Sequence, residues 1–540
     1  MINGITMRRG LWLKVIGIVV IAILGLLFIK PQGVSEGKEA QPKESTVAAK
    51  PSIAGSTELS KRLDNLISEG EKNGARWGVF VVSMADGSVL YQRNGDRLFT
   101  PASNMKIYTT SVALELLGAD YRWRTSVYAN SQPDANGRVS GDLVLYGRGA
   151  PDLVADSKDP NRGSLAKLVD DLYARGLRSV GGKIIGDESY FRGDSLGDGW
   201  QWTDLQWYFG AEASALSVNA NEIDVNFVPS TSKSAESEVR TNDTEGYVTV
   251  LNHMVAGERD SRLTLGIHRG LSDNDVEVWG EFPAGSKGFG ARLSVHQPSL
   301  WAAKLFTRLL KSKGIKVEGE TSSRNARLAP RQRFDPSHAT ELAAIYSQPL
   351  QDIAKKTNKE SNNLYAELIL RTLGRERGEI APPPEGIDRE RGDDEAGLAV
   401  IRLWLARAGI TSSRLALHDG SGLSRLDLVT PEASARLLIA VSKSAAGQAF
   451  HDSLPIGGRD GTLAGRLKTI GDRVRAKTGS LTYDNSLSGY LTTADGRQLA
   501  FSIMCNDQTI RGESTSTIDG IVTILASLPV LPAENPHKSQ

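Results

Sequence analysis

The chain has 540 residues, enough for two to four domains and at least one large core. Hydrophobic residues make up 40% and charged residues 24%, the balance of an ordinary globular protein. With 64 basic against 63 acidic residues the net charge is +1, which leaves no basic face for nucleic acid and no acidic tail.

At the N-terminus, Arg8, Arg9 and Lys14 precede the uncharged run "VIGIVVIAILGLLFI" from Val15 to Ile29. Basic residues before an apolar run mark export. As a helix the run spans about 22 Å, and Lys30-Pro31 follows it with no clear cleavage site. Residues 1–30 are expected to be a signal or anchor segment, kept as a membrane anchor, with the rest of the chain outside the cytoplasm. Residues 31–57, rich in Lys, Glu, Ser, Pro and Gly, read as a flexible linker.

Leu59, Leu63 and Ile67 then fall on one face of a helix. "WGVFVVSMADGSVLYQRN" predicts two strands about Asp86-Gly87. A long helix follows from Ala102-Ser103 to Gly118. Residues 119–295 hold short β-rich runs such as "DLVLYG", "EIDVNFV" and "DVEVWGEF", expected to form an insert of one or two nested subdomains. Helical patterns cover 298–314, 361–373, 393–409 and 430–444. A second hairpin about Asp495-Gly496 and a helix over 517–528 come next, with residues 531–540 as a tail. Hairpins at both ends imply one α/β domain, 58–118 and 296–530, whose sheet draws on both termini. The single cysteine, Cys505, lies in an apolar run and reads as a small buried hydrophobe. No two of the seven histidines lie within ligand spacing, so no metal site is expected.

Acyl transfer by a serine needs a base, a proton shuttle, an oxyanion hole and a clamp on the substrate. The ordered set S-x-x-K, S-x-N, K-T-G supplies them. Lys477-Thr478-Gly479 is the sole K-T-G, on or beside a strand. A given tripeptide is expected roughly 0.1 times by chance in a chain this long. S-x-x-K occurs at Ser103–Lys106, Ser164–Lys167 and Ser230–Lys233. Taken alone, such a serine is a helix cap. Ser103 and Lys106, however, share a helix face about 5–6 Å apart, at a helix start whose free N–H groups favour an anion. Lys106 can act as a base near neutral pH only if burial or another cation lowers its pKa, and Lys477 is the expected cation. S-x-N has four candidates. Ser361-Asn-Asn363 opens a helix, whereas Ser217, Ser272 and Ser323 begin triplets read as decoys.

With these motifs in order, the chain resembles the D-alanyl-D-alanine carboxypeptidases and endopeptidases of the low-molecular-mass class C penicillin-binding proteins (the penicillin-binding protein 4 type). "SQPLQDIAKKTNKESNNLYAELILRTLG" (347–374), "HDGSGLSRLD" (418–427), "LPIGGRDGTLAGRL" (454–467) and "AKTGSLTYDNSLSGYL" (476–491) carry the resemblance. It implies a penicillin-binding, serine β-lactamase-like α/β fold, an antiparallel sheet flanked by helices, with a large β-rich insert. It implies Ser103 as nucleophile, Lys106 as base, Ser361 as proton relay and Asn363 as the group orienting the substrate amide. Lys477, Thr478 and Gly479 would hold the substrate carboxylate, and the backbone N–H groups of Ser103 and Ser480 would form the oxyanion hole. The implied substrates are peptidoglycan stem peptides, with β-lactams as inhibitors and no cofactor. A serine β-lactamase and a non-catalytic cell-wall binding protein are the alternatives. Tyr483-Asp484-Asn485 departs from the small residues of the family.

Overall fold

The computed structural model describes residues 56–528, apart from 326, 328–329, 384–389 and 412. The expected anchor segment, the linker up to residue 55 and the C-terminal tail lie outside the described residues. Among those described, no helix is long and apolar enough to cross a membrane.

The site rests on a five-stranded antiparallel sheet built from both ends of the chain. Its strands are β1 (Arg76–Ser83), β2 (Val89–Arg93), β3 (Val474–Leu481), β4 (Asp484–Thr492) and β5 (Gln498–Asn506), in spatial order β3-β4-β5-β1-β2. Both expected hairpins form, and Gly87 and Gly496 take positive φ at their turns, which glycine does at no steric cost.

Side-chain alternation divides β1 between two cores. Trp77, Val79 and Val81 face one side and pair across to Cys505, Ile503 and Phe501 of β5. That side is covered by helix α1 (Ser56–Glu71), through Leu59, Leu63 and Ile67, and by the C-terminal helix α5 (Glu513–Ala526), through Ile518, Ile521 and Leu525. Cys505 is buried there as a small apolar side chain, its thiol pushed up to about 12 by burial. Phe80 and Val82 face the opposite side, toward helices α2 (Met105–Leu117), α3 (Asn363–Arg377) and α4 (Pro431–Ser442).

The stretch expected as a β-rich insert holds sheets of its own. Its main sheet runs 321–324, 184–187, 143–146, 124–129, 340–346, and two three-stranded sheets nest within residues 222–294. The return to the catalytic sheet comes later than residue 296. The helix Pro298–Ser312 lies on strands 184–187 and 321–324, and Thr340–Tyr346 pairs antiparallel with Arg124–Ala129. An amphipathic pattern tells that a helix covers a sheet, not which sheet. We accordingly draw the insert from about residue 119 to 349. Its two ends run side by side, with Ser347 N–H on the Trp123 carbonyl at 2.9 Å and Leu350 N–H on that of Tyr121 at 2.8 Å.

Candidate active site

A short 3₁₀ turn over Ala102–Asn104 leads into α2. Every residue from Met105 to Leu114 is buried, so α2 is a central helix rather than a surface one. Lys106 is carried inside with it and has no solvent exposure. Ser103 does not cap the helix; no side-chain cap bond is made there. Its Oγ instead lies 3.0 Å from Lys106 Nζ.

Lys106 Nζ has two further partners, Asn363 Oδ1 at 2.7 Å and the Ser421 carbonyl at 2.6 Å. Both can only accept. They engage two amine hydrogens, so in the neutral amine the lone pair is left for the hydroxyl hydrogen of Ser103. Burial lowers the Lys106 pKa to about 7, against the opposing pull of Asp419, Glu367 and Asp427. Of the two causes expected, burial is the one that lowers the Lys106 pKa, and the charge of Lys477 does not enter.

Asn363 is the first residue of α3. Asn362 caps that helix, its Oδ1 accepting the Tyr365 N–H at 3.0 Å. Asn363 Nδ2 donates to the Phe209 carbonyl of the insert at 2.9 Å, which fixes Oδ1 toward Lys106. Ser361, just before the cap, has φ of +58°, a conformation uncommon for serine. It places Ser361 Oγ 2.9 Å from Lys477 Nζ.

Lys477 lies on β3, the edge strand nearest the Ser103 turn. It is fully buried, and its pKa is pushed well below the usual lysine value by burial first and by Lys106 second. Its remaining bond is to the Thr478 carbonyl at 2.8 Å, while Thr478 Oγ1 donates to Thr462 Oγ1 at 2.7 Å. Along the outer edge of β3, Ala476 N–H pairs with the Pro455 carbonyl and Gly457 N–H with that of Val474. By the two-residue alternation of a strand, Thr478 and Ser480 point their backbone groups to the same outer edge. Gly479 is required by space, because a Cβ there would stand 2.6 Å from the Pro101 carbonyl oxygen and overlap Ser486 Oγ.

The three motifs thus converge through Lys106 and Lys477, and the remaining copies do not join them. Ser164 caps the helix Leu165–Ala174, accepting the Lys167 N–H at 3.3 Å. Lys233 makes an exposed ion pair with Glu258. Ser217 Oγ is held by Ser214 and Asn221, and the triplets at Ser272 and Ser323 lie within the insert. Two parts of the site went unread in the sequence. Asn104 Nδ2 ties the Ser103 turn to β3 through the Lys477 carbonyl, at 3.2 Å, and to Ser486 Oγ, at 2.5 Å. Glu367, one helical turn beyond Asn363, accepts the Gly420 N–H at 2.8 Å and is held toward about 7, chiefly by burial and next by Asp419. Tyr483 stands half-exposed in the β3–β4 turn with φ of +72°.

The profile of the D-Ala-D-Ala carboxypeptidase 3 (S13) family matches residues 59–528. The D-alanyl-D-alanine carboxypeptidase of Actinomadura sp. strain R39 is 34% identical over 83% of this chain and 81% of its own. The carboxypeptidase DacB of Haemophilus influenzae is 27% identical over 83% and 87%. The crystal structure of penicillin binding protein 4 from Haemophilus influenzae superposes with a TM-score of 0.71 at 25% identity, covering 86% of this chain and 99% of that one. The same protein complexed with a β-lactam gives 0.67.

Proposed function

Because this chain belongs to the D-Ala-D-Ala carboxypeptidase 3 (S13) family and is a serine peptidase of D-alanyl-D-alanine, we propose that Ser103 is its nucleophile, Lys106 the base, and the end of a peptidoglycan stem peptide its substrate. The observation that carries this reading is the Lys106 amine, held by two acceptors so that its free valence faces the Ser103 hydroxyl.

In the first step Ser103 Oγ attacks the carbonyl carbon of the penultimate D-alanine, and its proton passes to Lys106 Nζ. The resulting oxyanion is taken by the backbone N–H groups of Ser103 and Ser480, the latter on the free edge of β3. Collapse expels the terminal D-alanine, whose nitrogen receives a proton through Ser361 Oγ. Water then attacks the ester on Ser103, releasing the shortened peptide and restoring the hydroxyl.

Lys477, Thr478 and Gly479 form the carboxylate seat. Without an anion, Lys477 has no opposite charge among its hydrogen-bond partners, which are a hydroxyl and a carbonyl. An arriving carboxylate supplies that charge and favours the ammonium form of Lys477. A charged Lys477 depresses Lys106 further, so substrate binding helps to ready the base. A β-lactam presents the same carboxylate and acyl carbon, which makes it an inhibitor. The basic and apolar segment from Arg8 to Ile29 supports export, anchorage at the cytoplasmic membrane and action on the cell wall.

The test is fluorescent penicillin labelling of wild type and Ser103→Ala, followed by incubation with cross-linked muropeptides and mass analysis. Labelling disappears in Ser103→Ala, and wild type releases one D-alanine as a carboxypeptidase or halves dimers as an endopeptidase. Labelling that persists without Ser103 would refute the assignment.

A further inference from the structure

The loop 418–427 carries two buried aspartates that no step above uses. Asp419 is saturated with donors. Its Oδ1 accepts the N–H groups of Ser421 at 3.1 Å and Gly422 at 2.6 Å. Its Oδ2 accepts Ser424 N–H at 2.9 Å, Ser421 Oγ at 2.9 Å and the indole N–H of Trp200, from the insert, at 2.9 Å. Asp427 is the opposite case. Its Oδ1 accepts His418 N–H at 2.6 Å, whereas its Oδ2 is buried and meets no donor. Burial first, and the neighbouring Asp419 carboxylate next, push the Asp427 carboxyl well above the usual carboxylate range.

We propose that Asp419, as a carboxylate that accepts these five donors, is the positioning residue of the Lys106 base. Its bonds fold residues 419–424 into a tight turn, and that turn aims the Ser421 carbonyl at Lys106 Nζ. The fit is close, because a side chain at Gly422 would collide with the carbonyl of Ala102, the residue before Ser103. Asp419 also joins the insert to the base through Trp200. Other charged groups face the pair. Glu367 approaches from α3, neutralised by Arg371 at 2.7 Å. Arg402 lies near Asp427 and donates to the Leu417 carbonyl at 2.7 Å. Lys106 feels the charge of Asp419 and in turn acts on Lys477. His418 is turned outward to Asp198 at 2.8 Å.

The inference rests on Lys106 being the base for Ser103. Its test is the second-order rate of β-lactam acylation, followed across roughly pH 5 to 9, for wild type, Asp419→Asn and Trp200→Phe. Trp200→Phe removes one donor from Asp419 and leaves its charge, so the rate falls about threefold while the acid limb stays within about 0.3 pH units of wild type. In Asp419→Asn the turn loses its acceptor and acylation falls roughly tenfold or more. Its acid limb also moves down by about one pH unit, because a negative charge that favoured the Lys106 ammonium is gone. A purely structural role would lower the rate without moving the limb. The proposal is overturned if Asp419→Asn leaves the limb where it is in wild type. If Asp419→Asn does not fold, Trp200→Phe decides alone: a lowered rate with an unmoved limb upholds the proposal, and a wild-type rate refutes it. A wild-type protein that is not acylated overturns the Ser103–Lys106 reading instead.

Discussion

At the scale of single residues, the two copies of Ser-x-x-Lys on helices show what context does to one pattern. Ser164 spends its oxygen on the Lys167 N–H, as a cap does. Ser103 begins a helix buried on all sides, and its oxygen is left for chemistry. Ser164→Ala is expected to cost about 1 kcal/mol of stability and leave penicillin labelling unchanged, which a melt and a gel would establish together. For Lys106 the sign is fixed by desolvation. Burial favours the neutral amine, so acylation rises with pH as Lys106 loses its proton and levels off above about pH 7. A profile still climbing at pH 9 to 10, where an exposed lysine titrates, would contradict this environment. The sequence marks Ser103, Lys106, Ser361, Asn363 and Lys477 by letter and order. It does not mark Ser421, which contributes a carbonyl that every residue owns, or Asn104, whose task depends on a strand far along the chain.

Among elements, what was legible followed from local pattern. Both expected hairpins of the catalytic sheet combine two-residue alternation with an Asp-Gly turn, and both form. The strand Thr321–Arg324 escaped because "TSSR" has no apolar alternation; it is held by parallel pairing with Ile184–Asp187. Nor could the pattern of Pro298–Ser312 declare its sheet, which is why the expected boundary at 296 falls early. The contact of β3 with the Ser103 turn yields a test of its own. Gly479→Ala puts a methyl group against the Pro101 carbonyl and Ser486 Oγ. The strand must back away from the Ser103 turn, and a displacement near 1 Å is expected to cost about a hundredfold in acylation rate. The melting temperature should move little by comparison, since β3 is an edge strand. Near-normal acylation would mean that the contact is slack.

Over the whole molecule, the first described helix and the last one close the same core, and Arg76 meets Asp507 across 431 positions at 3.2 Å. The insert also reaches the site, with the Phe209 carbonyl on Asn363 and the Trp200 indole on Asp419. A chain stopped before Gln498 lacks the middle strand of the catalytic sheet. It is expected to bind no penicillin and to be cut rapidly by protease. Contacts this distant in sequence form late, after loop closure has been met. The order of the strands therefore acts as a clock. During synthesis Ser103, Lys106 and Ser361 emerge in turn, but the sheet that gathers them waits for its last three strands, from Val474 to Asn506. A partial chain is therefore expected to be inert, with activity beginning only when the last strand has arrived.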